Sequence, residues 1–362
     1  MRRHRVRFKR IDLNVHTISR RTADEVWREA ARLLVDSDQS IEEASRRGDT
    51  TELLHVLMRV EEPSQRWIVS RTPPFNPAFS LVEIFWIAAG RRDAALPTYW
   101  NPALPRFCGE TPTYHGAYGH RLRVHFGIDQ FERVYRALAD APESRQCVLQ
   151  FWDSRIDLPN LDGTPAADDI PCNVVAFPKI RQGKLEWMQV MRSNDLFLGM
   201  PHNVVQFTAL QEMLSGWLGV TSGAYCQLSD SLHVYAGDVE CVRSSLIPVT
   251  APPNTDTFAL DRRTWNEVMP LVIERLEALS RHDLSQCDFR AVAFAHDAPS
   301  GYDNSVLIAA ADSARRRGWQ ELAQECVGRC TNPALVYLWH RWRSRCEARG
   351  DSSVGVGRVA VS

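Results

Sequence analysis

The sequence predicts an α+β fold in which a large mixed sheet is flanked by helices. Residues 174–190 form two runs of alternating side chains on either side of a turn at 181–184, which is typical of a β-hairpin. Residues 79–90 and 207–217 carry apolar side chains at helical spacing. Residues 264–349 contain several amphipathic segments, so we expect this last part to be mostly helical.

The remaining elements follow from the same periodicities. An apolar stripe at helical spacing over 22–35, with Asp24 and Glu25 in its first turn, predicts a packing helix. A second helix is expected over 128–140. Four further segments have the character of strands: residues 53–60, 66–70, 147–152 and 223–235.

Composition limits the classes of function. The 362 residues are 44% hydrophobic, which is ample for a core, and the formal net charge of −1 gives no general field for binding nucleic acids. No apolar run is long enough to span a membrane and no signal-peptide pattern opens the chain, so we expect a cytoplasmic protein. The nine scattered cysteines agree with a reducing compartment.

Cys172 is the first candidate for catalysis. It directly follows Pro171 and precedes the first hairpin strand, whereas Arg192 follows the second strand. The hairpin therefore carries both residues to one end of the sheet. An arginine beside a thiol favours the thiolate, which is the nucleophilic form. The alternative is a buried structural cysteine near a surface arginine.

Two residues have the chemistry needed for proton transfer. Glu83 is the one acid in the almost entirely apolar helix 79–90, where burial demands a partner or raises the pKa. The alternative places Glu83 on a solvent-exposed face of that helix. Tyr118 lies in a segment at 97–123 that is rich in Pro, Gly, Tyr and Trp, which is typical of a loop held against a ligand.

Other polar residues suit an anionic ligand or a nucleobase. Arg46 and Arg47 lie beside a glycine, and Arg145 precedes a strand, so all three are candidate anion contacts, although exposed arginines are common. Asn203 begins a long helix and is either its cap or a residue whose amide pairs with a pyrimidine edge.

His233 and Tyr235 lie two residues apart on a strand and therefore face the same side of the sheet. Near the C-terminus, the spacing of four possible ligands matches no usual zinc pattern, so no metal is expected; these four residues are Cys326, Cys330, His340 and Cys346.

The order and spacing of these residues resemble the thymidylate synthase family, which includes the pyrimidine nucleotide hydroxymethylases. The resemblance covers about residues 36–240. Glu83 in Val-Glu-Ile-Phe-Trp and Tyr118 in Ala-Tyr-Gly match upstream motifs of the family. The more specific motifs are Pro171-Cys172, Arg192-Ser193-Asn194-Asp195, Gly199-Met-Pro-His-Asn203 and His233-Val-Tyr235.

The resemblance implies a role for each candidate. Cys172 would add to C6 of a pyrimidine nucleoside monophosphate, and C5 would then attack the one-carbon unit of 5,10-methylenetetrahydrofolate. Glu83 and Tyr118 would move protons through ordered water, and Arg192 and Asp195 would also serve catalysis. The implied binding residues are Arg46, Arg47, Arg145, Arg192 and Ser193 for phosphate, Asn203 for the base, His233 and Tyr235 for the sugar, and Asp195, Gly199 and Trp86 for folate.

The resemblance also implies a domain organisation and an assembly. We expect a basic flexible tail (1–21), a thymidylate synthase-like catalytic domain with a mixed sheet (22–260), a divergent and mostly helical C-terminal extension (261–350) and a loose tail (351–362). The family's homodimer would place Arg145 in the partner's phosphate site.

The sequence departs from the family pattern in several places. Asn173 replaces a histidine after the cysteine, Gln146 replaces the second of two paired arginines, and an insert at 229–232 precedes His233. Beyond about residue 238 there is no match to the segment that closes over folate. A less completely closed site favours water over hydride as the final reactant.

Three functions are therefore considered. Methylation of dUMP to dTMP is the first prediction, because Asn203 suits uracil, whereas cytosine-specific relatives tend to carry an acid there. Hydroxymethylation of dUMP, dCMP or CMP is the alternative, in which water captures the C5 methylene intermediate. A non-catalytic nucleotide-binding member of the same fold is the third.

Overall fold

The predicted hairpin lies inside a mixed β-sheet. The structure is a computed structural model that describes residues 15–45 and 47–349, and eight strands form the sheet within those ranges. The strands are β1 (His16–Arg20), β2 (Ile41–Ser45), β3 (Gly48–Val60), β4 (Leu149–Gln150), β5 (Asn173–Arg181), β6 (Lys184–Met191), β7 (Asn194–Asp195) and β8 (Thr221–Tyr235).

Helices cover the sheet and form the C-terminal region. A π-helical turn, Arg121–His125, follows α5, and a 3-10 turn, Ala236–Asp238, follows β8. The α-helices are α1 (Ala23–Asp36), α2 (Pro77–Ala88), α3 (Ala95–Trp100), α4 (Pro105–Cys108), α5 (Tyr118–His120), α6 (Gln130–Asp140), α7 (Ser154–Asp157), α8 (Met200–Leu218), α9 (Val239–Ser244), α10 (Arg262–Ser280), α11 (Gln286–Ala293), α12 (Ser300–Arg316), α13 (Gln320–Arg329) and α14 (Pro333–Ala348).

The sheet order is β1-β3-β8-β6-β5-β4, with β2 paired to β3 and β7 paired to β8. β5 and β6 form the predicted antiparallel hairpin. Its turn residues Gln182 and Gly183 both have positive φ, 52° and 72°, the conformation that a tight two-residue hairpin turn requires. β8 runs parallel to β6 and antiparallel to β3, so the sheet is mixed, as predicted.

Three predictions about local structure are wrong in part. Residues 16–20 of the predicted flexible tail form β1, because Ile18 is buried and the strand pairs in parallel with β3. Residues 66–70 are not a strand, and only Leu149–Gln150 of the strand predicted at 147–152 pairs with β5. The predicted loose tail at 351–362, like residues 1–14, lies outside the described residues.

The C-terminal helices share the core of the sheet region. α12 is buried along its length and packs against both α2 and α10. α14 also contacts α2. The prediction of a mostly helical C-terminal region is confirmed, and its helices cover the same helix, α2, that carries Glu83. Across the part of the chain that the structure describes, no helix is long and apolar enough to cross a membrane.

Candidate active site

Cys172 lies at the start of β5, and Arg192 lies just beyond the end of β6. The Arg192 backbone N–H donates to the carbonyl of Cys172 at 3.0 Å. The Arg192 side chain donates from Nε to the Pro171 carbonyl at 2.9 Å, and from Nη2 to the Ile170 carbonyl at 3.2 Å. Its guanidinium also lies 5.3 Å from the ring centre of Trp152. Arg192 therefore holds the segment that carries the cysteine.

The surroundings of Cys172 act in opposite directions on the pKa of its thiol. Burial raises the pKa of the Cys172 thiol, while the charges of Arg192 and Arg47 lower it and those of Asp169 and Asp195 raise it. Arg192 thus acts in the direction that the sequence predicted, but the predicted preference for the thiolate is not observed, because burial outweighs the arginines. The free site holds Cys172 as a thiol.

Tyr118 lies directly beside this cysteine. Its hydroxyl is next to the Cys172 backbone and the Asn173 side chain, and burial raises its pKa, so it stays protonated. Asn173 replaces the family's histidine and is itself completely buried. Asn173 Oδ1 accepts a hydrogen bond from Gln189 Nε2 at 2.9 Å. The substitution therefore belongs to a polar network at the base of the site.

Close backbone packing joins α5, which carries Tyr118, to α2, which carries Glu83. Gly119 lies against α2, where an added Cβ would be 2.3 Å from the carbonyl oxygen of Ile87. Only glycine permits this approach of α5 to α2. The Tyr118 ring packs against Phe151 and Phe207, at ring-centre distances of 5.9 and 5.7 Å.

Glu83 has the specific partner that its burial requires. Gln206 Nε2 on α8 donates to Glu83 Oε2 at 2.7 Å. Burial raises the pKa of Glu83 to about 8, and the hydrogen bond from Gln206 only partly opposes it. Ser80 and His202 form a second link between the same two helices at 2.7 Å. Glu83 is therefore a neutral acid at pH 7 and able to donate a proton.

The turn after β7 brings together four predicted residues. Asp195 pairs with His233 between β7 and β8, and its Oδ1 accepts the N–H groups of Phe197 and Leu198, both at 2.8 Å. A Cβ at Gly199 would lie 3.7 Å from Asp195 Cβ and 3.6 Å from Asn203 Nδ2. Asn203 lies inside α8, and Gly199 is the cap, so the amide of Asn203 is not used for capping.

His233 and Tyr235 share one side of β8, with ring centres 5.6 Å apart. The turn between β2 and β3 lies close by, since Thr50 pairs with Tyr235 and the charge of Arg47 influences the Tyr235 hydroxyl. The Arg47 guanidinium donates to the Phe107 carbonyl at 2.6 Å. Arg46, which precedes Arg47 in the sequence, lies outside the described residues.

The structure does not bring every predicted residue into this group. Arg145 is exposed in the connection between α6 and β4. Among the described residues, it contacts none of the other candidates. Trp86 is only 5% exposed, and its indole N–H donates to the Asp93 carbonyl at 3.1 Å. Trp86 therefore supports the loop that leads to Tyr118. Ser193 is half-buried between Arg192 and Asn194.

Four residues of this region were missed by sequence reasoning. Gln206 pairs with Glu83, and Arg71 supports the turn after β7 by donating to the Phe197 carbonyl at 2.7 Å. Asp169 and Cys108 lie beside one another, and the charge of Asp169 acts on Cys172. Only Asp169 carried a local signal, as it lies three residues before Cys172. Among the described residues, no cluster of three or more potential ligands has the geometry of a metal site.

Several known proteins are similar in sequence to this chain. The chain is 29% identical over 295 residues to a deoxyuridylate hydroxymethyltransferase of Pseudomonas phage M6. The aligned region covers 74% of this chain and 81% of that protein. The chain is also 33% identical over 198 residues to a deoxyuridylate hydroxymethyltransferase of Bacillus phage SP01, and this aligned region covers 52% of the chain and 51% of that protein. The chain thus spans about half the length of the SP01 relative.

A thymidylate synthase of Clostridium beijerinckii is 29% identical over 119 residues, which cover 33% of this chain and 43% of that protein. The model of the family described as thymidylate synthase matches residues 36–278, which include Glu83, Tyr118, Cys172, Asn203 and His233. This chain belongs to the thymidylate synthase family.

Proposed function

We propose that this protein transfers a one-carbon unit from methylenetetrahydrofolate to C5 of dUMP and releases a hydroxymethylated nucleotide. The observation that carries the proposal is the contact of the Tyr118 hydroxyl with the backbone of Cys172, together with the packing of α5 against α2, the helix that carries Glu83. The choice of water as the final reactant is supported by the long match to the phage M6 protein, which is named a deoxyuridylate hydroxymethyltransferase.

The proposed chemistry begins at Cys172. Its sulfur adds to C6 of the base, which makes C5 a carbon nucleophile that attacks the one-carbon unit. The thiol must lose its proton first, and the positive charge of Arg192 lowers that cost. Protonated Glu83 and Tyr118 supply hydrogen bonds and protons to the base during these steps.

The remaining polar residues have proposed binding roles. Arg192, Ser193 and the arginines of the β2–β3 turn suit the phosphate, and His233 with Tyr235 suits the sugar. Asp195 and the nearby Gly199 suit the folate. We extend the proposal to a cytoplasmic homodimer that needs no metal. In this homodimer, the Arg145 of each subunit would contact the nucleotide phosphate that is bound by the other subunit.

Methylation is the second candidate. It is favoured by the match to the Clostridium beijerinckii protein, which is named a thymidylate synthase. In both reactions C5 then loses its proton and tetrahydrofolate departs, which leaves an exocyclic methylene on C5 of the base that is bound to Cys172. Methylation follows if tetrahydrofolate gives a hydride to that methylene and becomes dihydrofolate, and hydroxymethylation follows if water adds instead. The non-catalytic alternative predicts neither product.

Product analysis distinguishes these candidates. The purified chain is incubated with methylenetetrahydrofolate and, in separate reactions, dUMP, dCMP and CMP, and the nucleotides are analysed by mass spectrometry. We expect dUMP to gain the mass of CH2O without formation of dihydrofolate. Gain of CH2 together with dihydrofolate would establish methylation instead. No gain with any nucleotide, and no covalent adduct with 5-fluoro-dUMP, would support the non-catalytic alternative.

Asn203 is expected to select uracil. Its amide presents one donor and one acceptor, whereas an aspartate in that place accepts from the exocyclic amino group of cytosine and repels O4 of uracil. In Asn203→Asp, the ratio of kcat/KM for dUMP to that for dCMP should fall about 10²-fold. The exposed Asn266→Asp, on α10, is the matched control. An unchanged ratio in Asn203→Asp would remove Asn203 from base recognition.

A further inference from the structure

Asp169 is a carboxylate beside the nucleophile to which the proposed chemistry assigns no role. It lies three residues before Cys172, and its Oδ2 accepts the Gly116 N–H at 2.7 Å. The Cys108 thiol lies within hydrogen-bonding reach of the same carboxylate. An added Cβ on Gly116 would be 2.9 Å from Asp169 Oδ1, so the carboxylate rests closely on that glycine.

Two contacts tie the segment 169–172 to the segment 116–118. The first is the hydrogen bond from Gly116 to Asp169, and the second is the approach of the Tyr118 hydroxyl to the backbone of Cys172. Asp169 therefore lies beside the pair of residues that meet the base. Its charge reaches both, because it raises the pKa of Cys172 and of Tyr118, in each case in addition to the effect of burial.

A carboxylate in this place works against the first chemical step. Its negative charge disfavours the Cys172 thiolate, and its own burial is costly. A purely structural role would be served as well by a neutral side chain that accepts the Gly116 N–H. The charge is useful at a later step, where a proton must be removed close to C5 of the base.

We propose that Asp169 is the catalytic base that takes a proton from the water attacking the C5 methylene, an inference that rests on the proposed hydroxymethylation. The water oxygen forms a bond to the methylene carbon, and its proton passes to Asp169. The electron pair of the exocyclic double bond moves into the ring as an enolate at C4. Collapse of that enolate restores the C5–C6 double bond and expels the Cys172 sulfur as thiolate.

The other acids near Cys172 are less suited to this step. Glu83 carries a proton at neutral pH, because burial raises its pKa to about 8. Asp195 already has a proposed role at the folate, and its Oδ1 accepts two backbone N–H groups in the turn after β7. Burial raises the pKa of Asp169, which strengthens it as a base, while Gly116, Cys108 and the charges of His115 and Arg121 oppose that rise and favour the ionised form.

The test uses Asp169→Asn in the full chain with dUMP and methylenetetrahydrofolate. We expect formation of the hydroxymethyl nucleotide to slow about 10²- to 10⁴-fold. Covalent capture of 5-fluoro-dUMP should persist, because it precedes the attack of water. Asp168→Asn removes the same charge from the exposed neighbouring residue and is the matched control, expected to keep the rate of the unaltered protein.

A second readout needs no folate. Asp169→Asn removes a charge that opposes the Cys172 thiolate, so Cys172 should be alkylated faster by iodoacetamide than in the unaltered protein, as followed by mass spectrometry of its peptide. The largest other charges that act on this thiol are those of Arg192, Asp195 and Arg47, and none of them changes in the variant.

The outcomes separate the two proposals. If the unaltered protein makes the hydroxymethyl nucleotide and Asp169→Asn makes it at a similar rate, Asp169 is not the base and the proposed function stands. If the unaltered protein releases only methylated nucleotide and dihydrofolate, the proposed function fails and the role of Asp169 fails with it. Loss of 5-fluoro-dUMP capture in Asp169→Asn would place its effect before the attack of water and would overturn the assignment.

Discussion

Replacing Cys172 with alanine is expected to lower turnover of dUMP by at least about 10⁴-fold, because the reaction has no other route to a nucleophilic C5. Neutral uracil does not attack the one-carbon unit unless C6 first accepts a nucleophile. The neighbours of Cys172 offer no replacement, since Tyr118 keeps its proton and Asn173 is buried in hydrogen bonding with Gln189.

The measurement combines product formation with covalent capture. In the unaltered protein, 5-fluoro-dUMP and methylenetetrahydrofolate should leave the nucleotide on the peptide that contains Cys172, and in Cys172→Ala no adduct should form. Cys287→Ala removes an exposed cysteine on α11 and serves as the control, with both activities retained. Turnover that survives in Cys172→Ala would rule out covalent catalysis at this residue.

The hairpin and its motifs could be predicted because their signals are local. Alternation along β5 and β6, with a glycine in the turn, is sufficient to place Cys172 and Arg192 at the same end of the sheet. The same holds for His233 and Tyr235, whose shared face follows from their spacing on a single strand. These residues define the strand side of the site.

The helix side of the site depends on distant pairs that one sequence does not reveal. Glu83 and Gln206 are 123 residues apart, and their hydrogen bond exists only because α2 packs against α8. Asp169 meets Gly116 across 53 residues, by way of a loop without regular periodicity. The need of Glu83 for a specific partner was predictable from its apolar helix, but the identity of that partner was not.

The error at the N-terminus has a similar cause. The many basic residues of the first ten positions suggested a flexible tail, and the short run His16–Arg20 has only one strongly apolar side chain, Ile18. Pairing with β3 and burial of Ile18 stabilise the strand, and neither is visible in local composition. Tertiary contact outweighs local preference for such short strands.

Glu83→Gln is expected to have the second largest effect on catalysis, a loss of about 10²- to 10⁴-fold, because the neutral acid that exchanges protons with the base is removed. Its pKa of about 8 also predicts a signature in the pH dependence. The rate of the unaltered protein should fall as the pH rises through about 8, where Glu83 loses its proton, and the residual rate of Glu83→Gln should lack that fall.

The pH dependence of the free energy of unfolding provides an independent check of the raised pKa of Glu83. Because the pKa of Glu83 is higher in the folded chain than its ordinary value of 4.5, the folded state binds more protons between pH 4.5 and about 8. The free energy of unfolding contributed by Glu83 therefore decreases as the pH rises through this window. Glu83→Gln should lose less stability on going from about pH 6 to about pH 9, as measured by thermal unfolding.

Glu267→Gln, at an exposed position on α10, is the matched control for both measurements and should follow the unaltered protein. If the alkaline fall in rate persisted in Glu83→Gln, another group would have to supply the proton. The rate of Glu83→Gln could lose its alkaline fall while the variant still lost as much stability as the unaltered protein between about pH 6 and about pH 9. Glu83 would then titrate in the catalytic complex but not in the free protein. The two measurements together show whether Glu83 carries a proton in the free protein and in the catalytic complex. The hydrogen bond from Gln206 is compatible with both forms, because its amide N–H can donate to a protonated or to an ionised carboxyl group.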